Sequence, residues 1–208
     1  MQTQVKFCGL TRAEDVTAAQ DAGADFLGFI VEAKSSRKLT LANAAALMKD
    51  AKAHTVAVTV DPDDRLVDGI KSAGFTYIQL HGSETLARTA EIASKGLSVI
   101  KAVPVATADD VKLATEYSGA ADLLLFDAKP PKGERQRGGH GLSFDWSILS
   151  RAPTPKRFAL AGGLTPVNVR DAATKTRAAI VDVSSGVERA PGIKDAFLMN
   201  AFMEQLRG

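Results

Sequence analysis

Apolar residues come along this chain in short β-branched or aromatic runs, each followed by a turn and then by an alanine-rich stretch with helical spacing. The runs predict strands at Val5–Cys8, Phe26–Ile30, Thr55–Val60, Tyr77–Leu80, Ser98–Val103, Asp122–Phe126, Arg157–Leu160 and Ala179–Val183. Helix periodicity falls between them, at Ala13–Ala22, Leu41–Lys52, Arg65–Ala73, Glu84–Ala93 and Asp109–Tyr117. Start signals are Thr11 with Asp15 nearby, Thr40 ahead of Leu41, Ser83 followed by Glu84, and Thr165-Pro166. Gly23, Gly74 and Gly96 stand where a helix ends before the next strand, the place for a left-handed glycine.

Eight strands alternating with about eight helices imply an α/β fold with a parallel sheet and right-handed crossovers. So many units on 208 residues fit a single closed (β/α)8 barrel, one domain spanning residues 1–208, with short connections. An open doubly wound sheet is the rival, because alternation does not report closure. The loosest segment runs from Ala128 to Leu142 around KPPKGERQRGGHG, and reads as a lid or substrate loop after the sixth strand.

Composition narrows the classes. Hydrophobic residues make up 45% and charged residues 24%, the mix of a soluble globular protein. A net charge of +2 gives no field for nucleic acid or an anionic membrane, so an anionic small molecule would be met by a few local cations. The single cysteine excludes an intramolecular disulfide and any multi-cysteine metal site. The start MQTQVKFCGL lacks a signal-peptide pattern, and no apolar run reaches the roughly 18 residues of a membrane helix, so the expected location is the cytoplasm. The three histidines show no metal-ligand spacing, and no metal is expected.

In a parallel barrel, chemistry gathers at the C-terminal ends of the strands. Those ends carry Cys8-Gly9, Gln79-Leu80-His81-Gly82, Asp127, Gly162-Gly163 and Ser184-Ser185-Gly186. Taken singly, the bland readings hold: a small buried thiol, a loop aspartate, ordinary turn glycines. Glycines after two adjacent strands free backbone N–H groups for an anion, and together they favour a phosphate site. Alternation puts Lys6 and Cys8 on one face of the first strand, and Ile180, Asp182 and Ser184 on the inner face of the eighth. If the barrel closes, Lys6 should pair with Asp182 beneath the Cys8 thiol, where a cation lowers a thiol pKa. Asp127 ends an apolar strand, a setting that raises a carboxyl pKa and suits a general acid. Arg37, in the loop after the second strand, has the paired donors that suit a carboxylate; a solvated basic loop fits the spacing equally. Trp146 reads as a packing anchor.

The strings Lys6-Phe7-Cys8-Gly9-Leu10-Thr11, Gly28-Phe29 with Ser35 to Arg37, Gln79-Leu80-His81-Gly82 and Leu125-Phe126-Asp127 open a series running the length of the chain. It continues with Gly138-Gly139-His140-Gly141, Leu160-Ala161-Gly162-Gly163-Leu164 and Asp182-Val183-Ser184-Ser185-Gly186-Val187-Glu188. In this order they resemble the phosphoribosylanthranilate isomerases of tryptophan biosynthesis. The resemblance implies an Amadori rearrangement without cofactor or metal, with Asp127 as general acid on the furanose oxygen and Cys8 as general base at C2′. It further implies that Arg37 contacts the anthranilate part, that Gln79 and His81 line the substrate, and that backbone N–H groups around Gly162, Gly163, Ser184, Ser185 and Gly186 hold the phosphate. Members of the family occur as monomers and homodimers. Two departures stand out: His140 where a small hydroxyl residue is usual, and Ala33 or Ser36 where proline is frequent. The alternatives are a histidine-pathway or dual-substrate isomerase, which would use paired aspartates, and a catalytically silent phosphate-binding barrel.

Overall fold

A computed structural model describes residues 2–129 and 144–208. Eight parallel strands form the ring: β1 (Gln4–Cys8), β2 (Phe26–Glu32), β3 (His54–Thr59), β4 (Tyr77–Leu80), β5 (Ser98–Val105), β6 (Leu123–Ala128), β7 (Phe158–Leu160) and β8 (Ile180–Val183). Helices α1 (Ala13–Asp21), α2 (Leu41–Met48), α3 (Asp64–Ser72), α4 (Leu86–Ser94), α5 (Ala108–Ala114), α6 (Ser147–Arg151), α7 (Val169–Thr176) and α8 (Ala196–Arg207) complete the units. Between β8 and α8 lie a 3-10 turn, Ser185–Val187, and a hairpin of β9 (Glu188–Ala190) with β10 (Ile193–Lys194).

The pairing of β1 with β8 decides between the two candidate topologies. Gln4 faces Ile180, Lys6 faces Asp182 and Phe7 faces Val183, so the sheet closes as a barrel. Strand alternation then divides the apolar residues into two cores. Phe7, Leu27, Phe29, Ile78, Leu80 and Phe126 point outward and pack against the helices. Phe26, Val56, Val58, Ile100, Leu125 and Ile180 fill the barrel interior. Polar side chains interrupt this inner set toward the C-terminal rim, where Lys6, Cys8, Gln79, Asp127 and Asp182 are all buried. Burying that many polar groups is unfavourable unless each finds a partner, so their pairing defines the site.

Several local readings need correction. Thr11 does not cap α1. Arg12 occupies the cap position and binds Asp15, while the Thr11 hydroxyl donates to the Gly192 carbonyl at 2.6 Å. Ser83 and Glu84 precede α4, whose cap is Thr85, accepting from the Arg88 N–H. Helix α7 begins at Val169, not beside Thr165-Pro166; Asn168 accepts from the Thr165 N–H and donates to the Gly163 carbonyl instead. The helix expected over Asp109–Tyr117 ends at Ala114 and tightens into a 3-10 turn, Thr115–Gly119. Thr40 caps α2 as expected, and Gly23, Gly74 and Gly96 adopt φ of +91°, +85° and +86°. Asp127 lies within β6 rather than after it, which fixes its side chain inward like that of Leu125. The lid expected over Ala128–Leu142 and the departure at His140 fall almost wholly outside the described residues.

Candidate active site

Cys8 ends β1 with its side chain directed into the barrel and only 7% of its surface exposed. Lys6 lies two residues below on the same face, with Nζ 3.0 Å from Asp182 Oδ1. That is the pair expected from alternation across the closing strands. Burial works against the Lys6 ammonium, yet Asp182 and Cys8 hold it above the ordinary lysine value. For the thiol the balance differs from the sequence expectation. Burial pushes Cys8 up; Lys6 pulls it down, Asp182 opposes Lys6, and burial prevails.

Gly28, facing Cys8 across the β1–β2 pairing, makes this packing possible. A Cβ at Gly28 would stand 3.0 Å from the Cys8 Sγ and 3.1 Å from the Lys6 Nζ. The missing side chain is the space that thiol and ammonium occupy.

Three strands away around the ring, Asp127 points inward from β6. Its Oδ1 accepts from the Ala128 N–H at 2.8 Å, and its Oδ2 lies 3.2 Å from the His81 Nε2. The other ring nitrogen, Nδ1, lies 3.1 Å from the Gln79 Nε2. An amide nitrogen only donates, so Nδ1 accepts, and in the neutral ring Nε2 carries the hydrogen that points at Asp127. Gln79, only 1% exposed, thus acts under the mouth through His81, and its Oε1 has no hydrogen-bond partner among the described residues.

The turn carrying His81 is fixed from outside the barrel. Lys101 leaves the outward face of β5 and donates to Gly82 O at 3.0 Å and to Glu84 Oε2 at 2.6 Å. Glu84 Oε1 in turn accepts the Asp61 and Gly82 N–H groups at 2.9 and 3.0 Å.

Arg37 meets a carboxylate, as its chemistry suggested, but one supplied by the chain itself. Its Nε and Nη2 donate to Glu188 Oε1 and Oε2 at 2.7 and 2.6 Å, a bidentate pair. Lys194 Nζ binds Glu188 Oε1 at 2.8 Å and the Ser184 carbonyl at 3.0 Å. This cluster was not legible in the sequence, because Glu188 and Lys194 arrive on a short polar hairpin with no periodicity. Gly9, at φ +72°, lets the Arg37 stem cross the β1 turn; a Cβ there would lie 2.6 Å from the Arg37 Cδ.

On the same rim, just after β7, Gly162 and Gly163 are consecutive left-handed residues, at φ +89° and +62°. Such a run turns successive N–H groups toward one side. A Cβ at Gly186 would overlap the Leu164 carbonyl oxygen, so the turns after β7 and β8 abut backbone to backbone. Ser184, Ser185 and Gly186 are half-buried beside them. Among the described residues, no group of three or more His, Cys, Asp or Glu stands where it could hold a metal ion.

This arrangement of thiol, carboxylate and paired glycine turns can be set beside known proteins. The sequence profile of the N-(5'phosphoribosyl)anthranilate (PRA) isomerase family matches residues 5–205. The chain belongs to that family. It is 46% identical over 207 residues to the N-(5'-phosphoribosyl)anthranilate isomerase of Paracoccus denitrificans, covering 98% of this chain and 96% of that protein. The crystal structure of the phosphoribosyl anthranilate isomerase from Thermotoga maritima superposes with a TM-score of 0.87 at 33% identity, over 100% of both chains. A phosphoribosyl anthranilate isomerase in complex with reduced 1-(o-carboxyphenylamino)-1-deoxyribulose 5-phosphate superposes at 0.84 with 31% identity, again over 100% of both. Membership in the isomerase family turns the inward thiol, the inward carboxylate and the glycine turns into parts of one expected site. It also removes the paired-aspartate enzymes of the histidine pathway from contention as this chain's own family.

Proposed function

We propose that the mouth of this barrel isomerises N-(5'-phosphoribosyl)anthranilate to 1-(2-carboxyphenylamino)-1-deoxyribulose 5-phosphate, an Amadori rearrangement of tryptophan biosynthesis, with Asp127 as general acid and Cys8 as general base. The observation carrying the assignment of roles is that both side chains turn inward at the C-terminal rim, on the same mouth as the abutting glycine turns. The phosphate rests on the N–H groups around Gly162, Gly163, Ser185 and Gly186, close to Ser184. Its position there leaves the ribose to lie across the mouth between β1 and β6.

Asp127 gives its proton to the furanose ring oxygen, and the ring opens to an iminium ion. A C2′ hydrogen next to an iminium is acidic, and Cys8 in its thiolate form takes it, leaving an enolamine that tautomerises to the ketone. The substrate nitrogen serves as the electron sink. Burial opposes the thiolate, so positive charge must favour it: Lys6 beneath, Lys194 at longer range and the iminium itself. His81 holds the Asp127 carboxyl oriented, and Arg37 meets the anthranilate carboxylate. We place the reaction in the cytoplasm, carried out by a monomer or homodimer.

Turnover is read by loss of anthranilate-type fluorescence from freshly made phosphoribosylanthranilate. The protein should consume it with first-order decay far faster than the spontaneous loss. Folded protein that leaves the decay at its spontaneous rate overturns the assignment.

A further inference from the structure

The cluster formed by Arg37, Glu188 and Lys194 holds two cations and one anion, and it is almost sealed from water. Their side chains are 6%, 5% and 0% exposed. Glu188 occupies the Nε–Nη2 edge of the guanidinium, and among the described residues Nη1 has no hydrogen bond. A guanidinium carries donors on two edges, so one bidentate carboxylate leaves the other edge available. Lys194 is unusual in a different way. Burial pulls its ammonium below the ordinary lysine value even though Glu188 opposes this. Burying an ammonium so fully is costly, and one carboxylate shared with Arg37 does not match two cations.

We propose that Lys194 is a specificity-determining residue: it balances the charge of Glu188 so that Arg37 can accept a second carboxylate, the one borne by the aryl amine of the substrate. The inference rests on the proposed reaction for the identity of that carboxylate. With ligand bound, two cations face two carboxylates and the cluster is neutral. Without Lys194, one guanidinium would face two carboxylates in a poorly solvated pocket, and the incoming one would be repelled. The hairpin of β9 and β10 has a clear task on this account. It brings Glu188 and Lys194 against Arg37 from one side and, through the Ser184 carbonyl, ties them to the rim of β8. The surrounding chain reinforces the placement, since the Lys194 N–H donates to Asp15 at 3.3 Å and the Thr11 hydroxyl binds the Gly192 carbonyl.

The experiment compares two substrates, phosphoribosylanthranilate and the phosphoribosyl amine of aniline, which lacks the carboxylate. The quantity read is the ratio of their kcat/KM values. Lys194→Met should lower that ratio at least tenfold, mainly through a raised KM for the carboxylated substrate. Glu188→Gln should leave the ratio at or above that of the unsubstituted protein. The double variant, Lys194→Met with Glu188→Gln, again places one cation against one ligand carboxylate and should recover most of the lost preference. A purely structural lysine would lower both substrates together and would show no recovery in the double variant. Equal losses on both substrates, or a double variant no better than Lys194→Met, overturns the proposal. If Lys194→Met does not fold, the double and Glu188→Gln variants decide: a ratio at least tenfold below the unsubstituted protein in either contradicts the charge balance. Equilibrium dialysis of anthranilate gives a second reading that needs no turnover. Weaker binding by Lys194→Met together with no turnover by the unsubstituted protein would uphold this inference while removing the proposed reaction. Turnover with unchanged anthranilate binding and an unchanged ratio would do the reverse.

Discussion

Cys8 is held in competition between burial and charge. Its surroundings exclude water, which favours the neutral thiol, while Lys6 directly beneath favours the thiolate and Asp182 partly cancels Lys6. The folded thiol therefore holds its proton to higher pH than a free one, and at pH 7 its thiolate fraction is smaller. Alkylation of the unliganded protein by iodoacetamide should be slower than that of a free cysteine. Its rate should also keep climbing with pH beyond the usual thiol value of about 8.5. Lys6→Met should slow the reaction at pH 8 and Asp182→Asn should speed it, because one removes the cation and the other the anion. Rates shifted in the same direction by both would mean that access, not charge, governs the thiol. The Lys6–Asp182 pair is legible in the sequence, since period-two alternation and barrel closure together put both residues on the inner face of adjoining strands. The upward shift of the thiol is not, because sequence shows the nearby cation but not how completely the site is buried.

The turn after β4 shows how an element outside the barrel can set a group inside it. Lys101 stands on the outer face of β5, yet it grips the Gly82 carbonyl and Glu84 on the turn that presents His81 to Asp127. Both partners are buried, at 3% and 4% exposure. Removing one leaves the other as an uncompensated buried charge, at a typical cost of about 3–5 kcal/mol. Lys101→Met should lower the urea-unfolding free energy by about that amount, and a loss under about 1 kcal/mol would show the pair to be dispensable. Sequence placed Glu84 at the start of a helix because Ser83-Glu84 looks like a capping signal. A partner 17 positions later in the chain overrides that local preference. Glu188, quoted in the last motif string, carries no role in the sequence for a similar reason, since its partner Arg37 lies 151 positions earlier. Contacts across such separations leave no periodic trace, whereas strands, helices and turn glycines do.

At the scale of the whole molecule, one closed ring with a polar upper layer accounts for the site. The lower interior is apolar and packs as a core, while the upper interior carries Lys6, Cys8, Gln79, Asp127 and Asp182, each buried at 8% exposure or less. The alternation of strands with helices implied a parallel α/β sheet, and the pairing of β1 with β8 settled its closure as a barrel. Membership in the phosphoribosylanthranilate isomerase family fits both the fold and this polar layer. In the proposed reaction, the division of work gives the acid step to Asp127 and the base step to Cys8. It is tested most directly by measuring kcat for phosphoribosylanthranilate with Asp127→Asn and Cys8→Ala beside the unsubstituted protein. Each variant, folded by circular dichroism, should lose at least about 10²-fold in kcat. A variant turning over within a few-fold of the unsubstituted rate would contradict the role given to that residue.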